Sequence, residues 1–275
     1  MAATSSAGRG SHTPALLSGV VWAISLVLIA PIAILIIVSF SGQAYLKFPP
    51  DSYSLRWFAT FLRDARWQES IWLSVRIGLI ACAFATTIGF FAAYALVRGR
   101  FAGKTIVLSL LLTPMIIPSV VTAIAIYFMS AAVGLVGSVV WLGFCHAVVA
   151  LPVVVLILLS TLNGVDQNLE RAALSLGASK TMVFTRIVAP LAAPGLASAA
   201  LFAFLTSFDE LLISLFLADV RSQTLPVRIW NSLHLDVEPT IAAVNAFLIA
   251  VTAVVLTLEA VLRRHRSRHA TGRTT

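Results

Sequence analysis

The apolar positions of this chain gather in long runs that carry few or no charges. The runs occupy residues 15 to 40, 71 to 97, 105 to 132, 139 to 162, 191 to 217 and 240 to 262. A helix needs about 20 apolar residues to cross a bilayer, so each run is long enough to span one. The pattern predicts an all-α polytopic membrane protein with six transmembrane helices over 15–262, preceded by a tail at 1–14 and followed by a basic tail at 263–275. The first run is too long for a signal-peptide core and has no convincing small-residue cleavage site before Lys47, so it is read as a retained span. From Thr105 to Val165 no Asp, Glu, Lys or Arg occurs. A continuous helix of that length would rise through roughly three bilayers, so the chain must turn back. Gly134 to Ser138, with two glycines, is the simplest place for the turn.

Composition sharpens this reading. The chain is 59% hydrophobic and 11% charged, against about 45–50% and about 25% in soluble globular proteins. So little charge cannot coat a soluble domain of this size, which excludes a cytosolic enzyme, a disordered chain and a nucleic-acid-binding domain. The formal net charge of +8 then reports loop placement more than an acidic partner. With six spans, the N-terminus, the 98–104 and 163–189 loops and the tail share one side and hold twelve Lys and Arg. The other side holds six, and Arg76 lies within a span. The positive-inside rule makes both termini cytoplasmic. Pro31, Pro114, Pro118, Pro152 and Pro194 fall in or at the ends of spans. Each removes a backbone hydrogen bond and favours a kink, as suits a moving, cavity-lining bundle, although proline is also commoner in membrane helices generally.

Little in the chain points to catalysis. Gly103, Lys104 and Thr105 resemble the end of a phosphate-binding loop, but the glycine required five residues earlier is replaced by Arg98 and no strand precedes it. Lys104 is read as a membrane-flanking charge, and the chain is not expected to bind ATP itself. His265 and His269 stand four apart in an Arg-rich tail and read as a solvated cationic end. His146, alone in a span, reads as a helix-packing residue. Cys82 and Cys145 lie inside apolar runs and make no disulfide or zinc framework. No catalytic residue, cofactor or metal site is expected.

The segment between the fourth and fifth runs is unusual. Asp166 or Asn168 can cap a short Ala- and Leu-rich helix, with Glu170 in its first turn. Gly177 breaks that helix, and Lys180 to Val188 supplies a second amphipathic segment with Met182, Val183, Phe184 and Ile187 on or near one side. Connections in helix bundles usually take 2–8 residues, so a connection this long and this apolar calls for a protein partner. The segment resembles the signature loop of binding-protein-dependent ABC importer permeases, Glu-Ala-Ala, three residues, Gly, then nine residues to Ile-x-Leu-Pro. Ala172, Ala173, Gly177, Ile187 and Pro190 match it. Arg171 occupies the acidic position, with Glu170 one residue earlier, and Ala189 replaces the leucine.

The resemblance implies a type I importer fold in a bacterial inner membrane. It also implies a loop, 163–189, that docks on ATP-hydrolysing subunits through Glu170, Ala172, Ala173, Gly177, Ile187 and Pro190. A second permease, forming a heterodimer, an external substrate-binding protein and membrane lipid complete the expected partners, with no nucleic acid. The stretch from Thr206 to Leu217, with Thr224 to Val227 and Pro239 to Ala243, is similar to the second permease of spermidine/putrescine importers. That likeness makes a polyamine the expected solute, while aminophosphonate, iron and thiamine importers share much of the pattern. Within the stretch, Asp209 and Glu210 form an acid pair inside an apolar run, which normally faces a protein interior or a water path. They are candidates for a cation-attracting or gating site; the competing reading is a helix cap or interhelical hydrogen bond. A self-sufficient ion-coupled carrier, using Arg76, Asp209 and Glu210, is the alternative from another class.

Overall fold

The computed structural model describes residues 13–218, 223–235 and 239–271, with side chains for 17–218, 223–234, 239–254, 256 and 257. Among them secondary structure is helical apart from one isolated antiparallel bridge between Ser41 and Tyr53. The chain divides into two compact units, Met1–Phe61 with Asp236–Ala253, and Leu62–Leu235 with Val254–Thr275.

In the first unit, α1 (Thr13–Ser39) carries Pro31 inside it and exposes Trp22, Leu26, Val27 and Leu28. A helix that is apolar all round, and whose most apolar window is not buried within the chain, is suited to a lipid or protein surround. Beyond it the chain doubles back, Gly42 N–H donating to the Ser52 carbonyl at 2.9 Å and Ser54 N–H to that of Phe40 at 2.7 Å. The Trp57 indole donates to the Gln43 carbonyl at 3.1 Å, which seats the start of α2 (Arg56–Arg63) on this loop.

In the second unit three long rods pack together: α3 (Ala65–Arg98), α6 (Val139–Asn163) and α9 (Ala189–Phe208). Their contact faces carry Ala81, Ala85 and Ala93, then Ala147, Ala150 and Val154, then Ala192, Ala199 and Ala203, all buried. Small residues let backbones approach closely where lipid supplies no hydrophobic drive between helices. The tightest approach is at Gly195, where an added Cβ would stand 2.0 Å from the Thr161 Oγ1 of α6.

The run at 105–132 divides into α4 (Lys104–Ile116) and α5 (Ser119–Ala132), which bend by 103° around Pro118. Ile117, held before a proline, leaves the helical region with ψ 133°. The expected turn at Gly134–Ser138 is present, with Gly134 and Gly137 both at left-handed φ, 68° and 83°.

The expected runs recur as apolar helices, and one of them differs in extent. Among the described residues four helices are long and apolar enough to cross a membrane, or five if the bent α4–α5 pair forms one. The last expected run, 240–262, lies within α12 (Thr240–Thr271). The expected helix at 191–217 instead begins at Lys180 and runs unbroken to Phe208, and Leu212–Leu217 forms a separate short helix, α10.

Candidate functional site

At one end of the second unit, α7 (Gln167–Ser175) stands between α6 and α8 (Lys180–Val183). Asp166 is the cap, its carboxylate accepting from Asn168 N–H at 2.8 Å. The helix ends in a Schellman arrangement: Ala178 N–H donates to the Ala173 carbonyl and Gly177 N–H to that of Leu174, both at 3.0 Å. Gly177 has φ +85°, and nothing lies within 4 Å of where its Cβ would be. The glycine is therefore required by backbone conformation and not by crowding inside this chain.

Two anchors tie the loop to α3. Arg98, the last residue of that helix, pairs with Glu170, Nε to Oε1 at 2.7 Å, with side-chain exposures of 11% and 12%. Its Nη2 also donates to the Val165 carbonyl at 2.8 Å, so one guanidinium holds both the entry to α7 and its first turn. The second anchor is Phe184, stacked on Phe91 with centroids 5.8 Å apart and edge-on to Tyr94 at 5.1 Å. The second amphipathic segment is thus no separate helix. A π turn, Phe184–Val188, joins α8 to α9, Ala189 N–H reaching back to the Phe184 carbonyl. Pro190 has no N–H to give, and the widened turn carries the helix past it. Val183 and Val188 are buried in the bundle, while Met182 turns outward.

Of the expected loop residues, Ile187 is half-buried and packed on the bundle core, and Ala173 likewise. Ala172, Arg171 and Pro190 are exposed. Leu176, at 89% exposure, projects from the end of α7, with Leu169 and Leu174 also exposed. The result is a rigidly seated projection with apolar side chains facing outward.

Asp209 and Glu210 lie at the break between α9 and α10. Asp209 is the exposed C-cap of α9. Glu210 is half-buried, and its Oε1 accepts from Ile213 N–H at 3.1 Å in the first turn of α10. Beneath this break lies His146, at 1% exposure. Its Nδ1 is 2.9 Å from Ser207 Oγ and 3.1 Å from the Ser207 carbonyl, and its Nε2 is 3.1 Å from Ser214 Oγ. One imidazole therefore bridges α6 to both sides of the broken helix. Sequence reasoning assigned His146 to packing without its partners, since Ser207 and Ser214 look like ordinary small helix residues.

Near the N-terminal end of α3, a pocket of about 420 Å³ is lined by Gln68, Glu69, Trp72, Arg76 and Arg228 among others. Arg228, on α11 (Leu225–Leu235), donates to Ser70 Oγ at 2.6 Å. Burial, and then the positive charge of Arg66, push its guanidinium below the ordinary value. Arg76 is exposed beside it. The basic residue placed by sequence inside a span thus has a polar recess to face. His265 and His269 lie outside the described side chains. Among the described residues no group of three His, Cys, Asp or Glu is placed to hold a metal.

An apolar helical bundle with a seated, outward-facing loop is the architecture of a transport permease. The family described as "Binding-protein-dependent transport system inner membrane component" matches residues 85–267. The chain belongs to that family and is the permease component of an ATP-binding-cassette importer. It is 29% identical over 254 residues to the spermidine/putrescine transport system permease protein PotC of Escherichia coli K12, covering 92% of this chain and 96% of that one. It is 30% identical over 240 residues to the putrescine transport system permease protein PotI of the same strain, covering 83% of each. A crystal structure of a bacterial ABC transporter involved in import of the acidic polysaccharide alginate superposes with TM-score 0.70 at 15% identity, covering 95% of this chain and 99% of that one. That structure shares the fold.

Proposed function

We propose that this permease carries a polyamine such as spermidine or putrescine across the bacterial inner membrane by alternating access. It receives the solute from an external binding protein, pairs with a second permease, and is driven by ATPase subunits that dock on 163–189. The observation that carries the docking reading is the projection itself. Leu176 is almost fully exposed at a left-handed glycine, on a helix clamped by Arg98. Exposed apolar side chains on a rigid mount mark a protein contact, and a clamped helix transmits displacement to α3 and α9. A Gly177→Asp variant is expected to insert normally, lose uptake and release the ATPase subunit. Normal uptake by that variant refutes the reading.

Both termini are assigned to the cytoplasm, so a reporter fused after Arg268 is expected inside and one inserted near Asp51 outside; the opposite pattern overturns the orientation. The polyamine reading is supported by the names of the relatives, and Asp209 and Glu210 are its candidate carboxylates. One observation favours a second solute class. Two guanidinium groups, Arg76 and Arg228, face the pocket beside Glu69, a lining that suits an aminophosphonate better than a polycation. Calorimetry of the cognate external binding protein against spermidine and against 2-aminoethylphosphonate separates the two.

A further inference from the structure

The charge arrangement of α7 says which kind of surface receives it, an inference that rests on the docking reading above. Glu170 is the helix's only acid, and it is consumed inside the permease on Arg98, at 2.7 Å and about one-tenth exposed. One residue on, and so about 100° around the helix, Arg171 lies off the face that Glu170 turns to Arg98. It is exposed, and none of the ion pairs found among the described residues includes it. Asn168, three residues before it, and Ser175, four residues after it, share its face, and both are exposed. Leu176 projects just beyond. Across the Gly177 turn the next exposed charge is Lys180, with Arg186 a further turn and a half along. Asp166 is the loop's other acid; it is exposed and engaged in capping. The outward face therefore offers one apolar knob beside a cation, with more positive charge following and no free carboxylate on α7.

We infer that the ATPase subunit that receives this loop presents a carboxylate to Arg171, beside an apolar recess for Leu176, and makes no ion pair with Glu170. A cationic recess would oppose Arg171 directly and could reach Glu170 only by displacing Arg98. Removing Arg98 from Glu170 would also free the Val165 carbonyl and loosen the start of the helix. Charge complementarity across an interface chiefly sets partner choice and on-rate, so the arrangement also predicts poor exchange of ATPase subunits with importers whose loop bears an acid at this position.

The test uses the complete importer, with its binding protein, both permeases and ATPase subunits. Arg171→Glu is expected to weaken ATPase-subunit association at least tenfold and to reduce ATP-driven uptake in proportion. Reversing the carboxylates of the ATPase docking face to lysine one at a time should identify one change that restores both. Glu170→Gln should be rescued by no ATPase charge change. If Arg171→Glu associates as wild type while Leu176→Asp releases the ATPase, the inference fails and the docking reading stands. If neither variant alters association, the docking reading fails and takes the inference with it. Rescue of Glu170→Gln by a charge change in the ATPase would make Glu170 the contact and overturn the inference. Loss of uptake with intact association, tracking the anionic-lipid content of the vesicles, would assign Arg171 to lipid phosphate and also overturn it.

Discussion

Gly195→Ala adds one methyl group at the point where α9 crosses α6, and the structure states what it meets. Its Cβ would lie 2.0 Å from Thr161 Oγ1, 2.4 Å from Cγ2 and 2.7 Å from Cβ. Rotating Thr161 does not relieve this, because Cβ does not move with χ1, and rotation also gives up the 2.8 Å hydrogen bond from Oγ1 to the Ile157 carbonyl. The helices must part by on the order of 1 Å at a closely packed crossing, where overpacking costs about 1–3 kcal/mol. At about 2–4 °C per kcal/mol for a chain approaching this size, a cost near ~2 kcal/mol lowers the unfolding midpoint in detergent by about 4–8 °C. Thr161→Ala removes the two nearest atoms but keeps the Cβ at 2.7 Å, so it should recover part of the loss. Thr161→Gly should recover most of the steric part, less its own helix-propensity cost of about 1 kcal/mol. The readout is a double-mutant cycle by thermal unfolding of purified protein. A Gly195→Ala midpoint within about 1 °C of wild type, or purely additive double variants, would refute the close-approach argument.

Arg98→Ala and Glu170→Gln should each destabilise α7, by about 1–3 kcal/mol given a pair that is mostly but not fully buried. The double variant should cost little more than Arg98→Ala, as amide exchange over 166–176 would report. His146→Phe keeps the ring volume and leaves the buried Ser207 and Ser214 hydroxyls without their partner, which should cost about 1–3 kcal/mol and loosen the α9–α10 break; unchanged stability would remove His146 from that role. Asp209→Asn with Glu210→Gln should lower polyamine uptake while assembly survives. Normal transport by that double variant would leave Glu210 as a helix cap only, and a rise in substrate-independent ATP hydrolysis would place the pair in a gate.

The long uncharged runs made the membrane bundle legible, because hydropathy reports environment over 20 residues at a time. They did not disclose direction. Pro114 and Pro118 marked the run at 105–132 for a kink but not for its size, 103° at Pro118, since the angle depends on what the neighbouring helices tolerate. The stretch from Lys180 to Val188 read as a second short segment of the connection, separate from the span after it. It is instead continuous with α9, because the π turn satisfies the backbone that the proline disrupts. Local chemistry was readable where it is local: the Gly177 stop, the Asp166 cap and the glycine turn at 134–138 all rest on neighbours within a few residues. Arg98 entered only as one cation of the 98–104 loop, because Glu170 lies 72 residues away. The serines that meet His146 are 61 and 68 residues distant. Such pairings are set by the packing of α3, α6 and α9, which periodicity does not specify.

The central claim is that movement of solute through this chain is powered through 163–189 by a separate ATPase. It is tested most directly in proteoliposomes containing this permease, its partner permease and the ATPase subunits, with the external binding protein and labelled spermidine outside and ATP or a non-hydrolysable analogue enclosed. Uptake is expected only with hydrolysable ATP and binding protein together, and is expected to vanish when Gly177→Asp replaces the wild-type chain. Uptake by the permease alone, driven by an imposed proton or sodium gradient without ATPase subunits, would contradict the account.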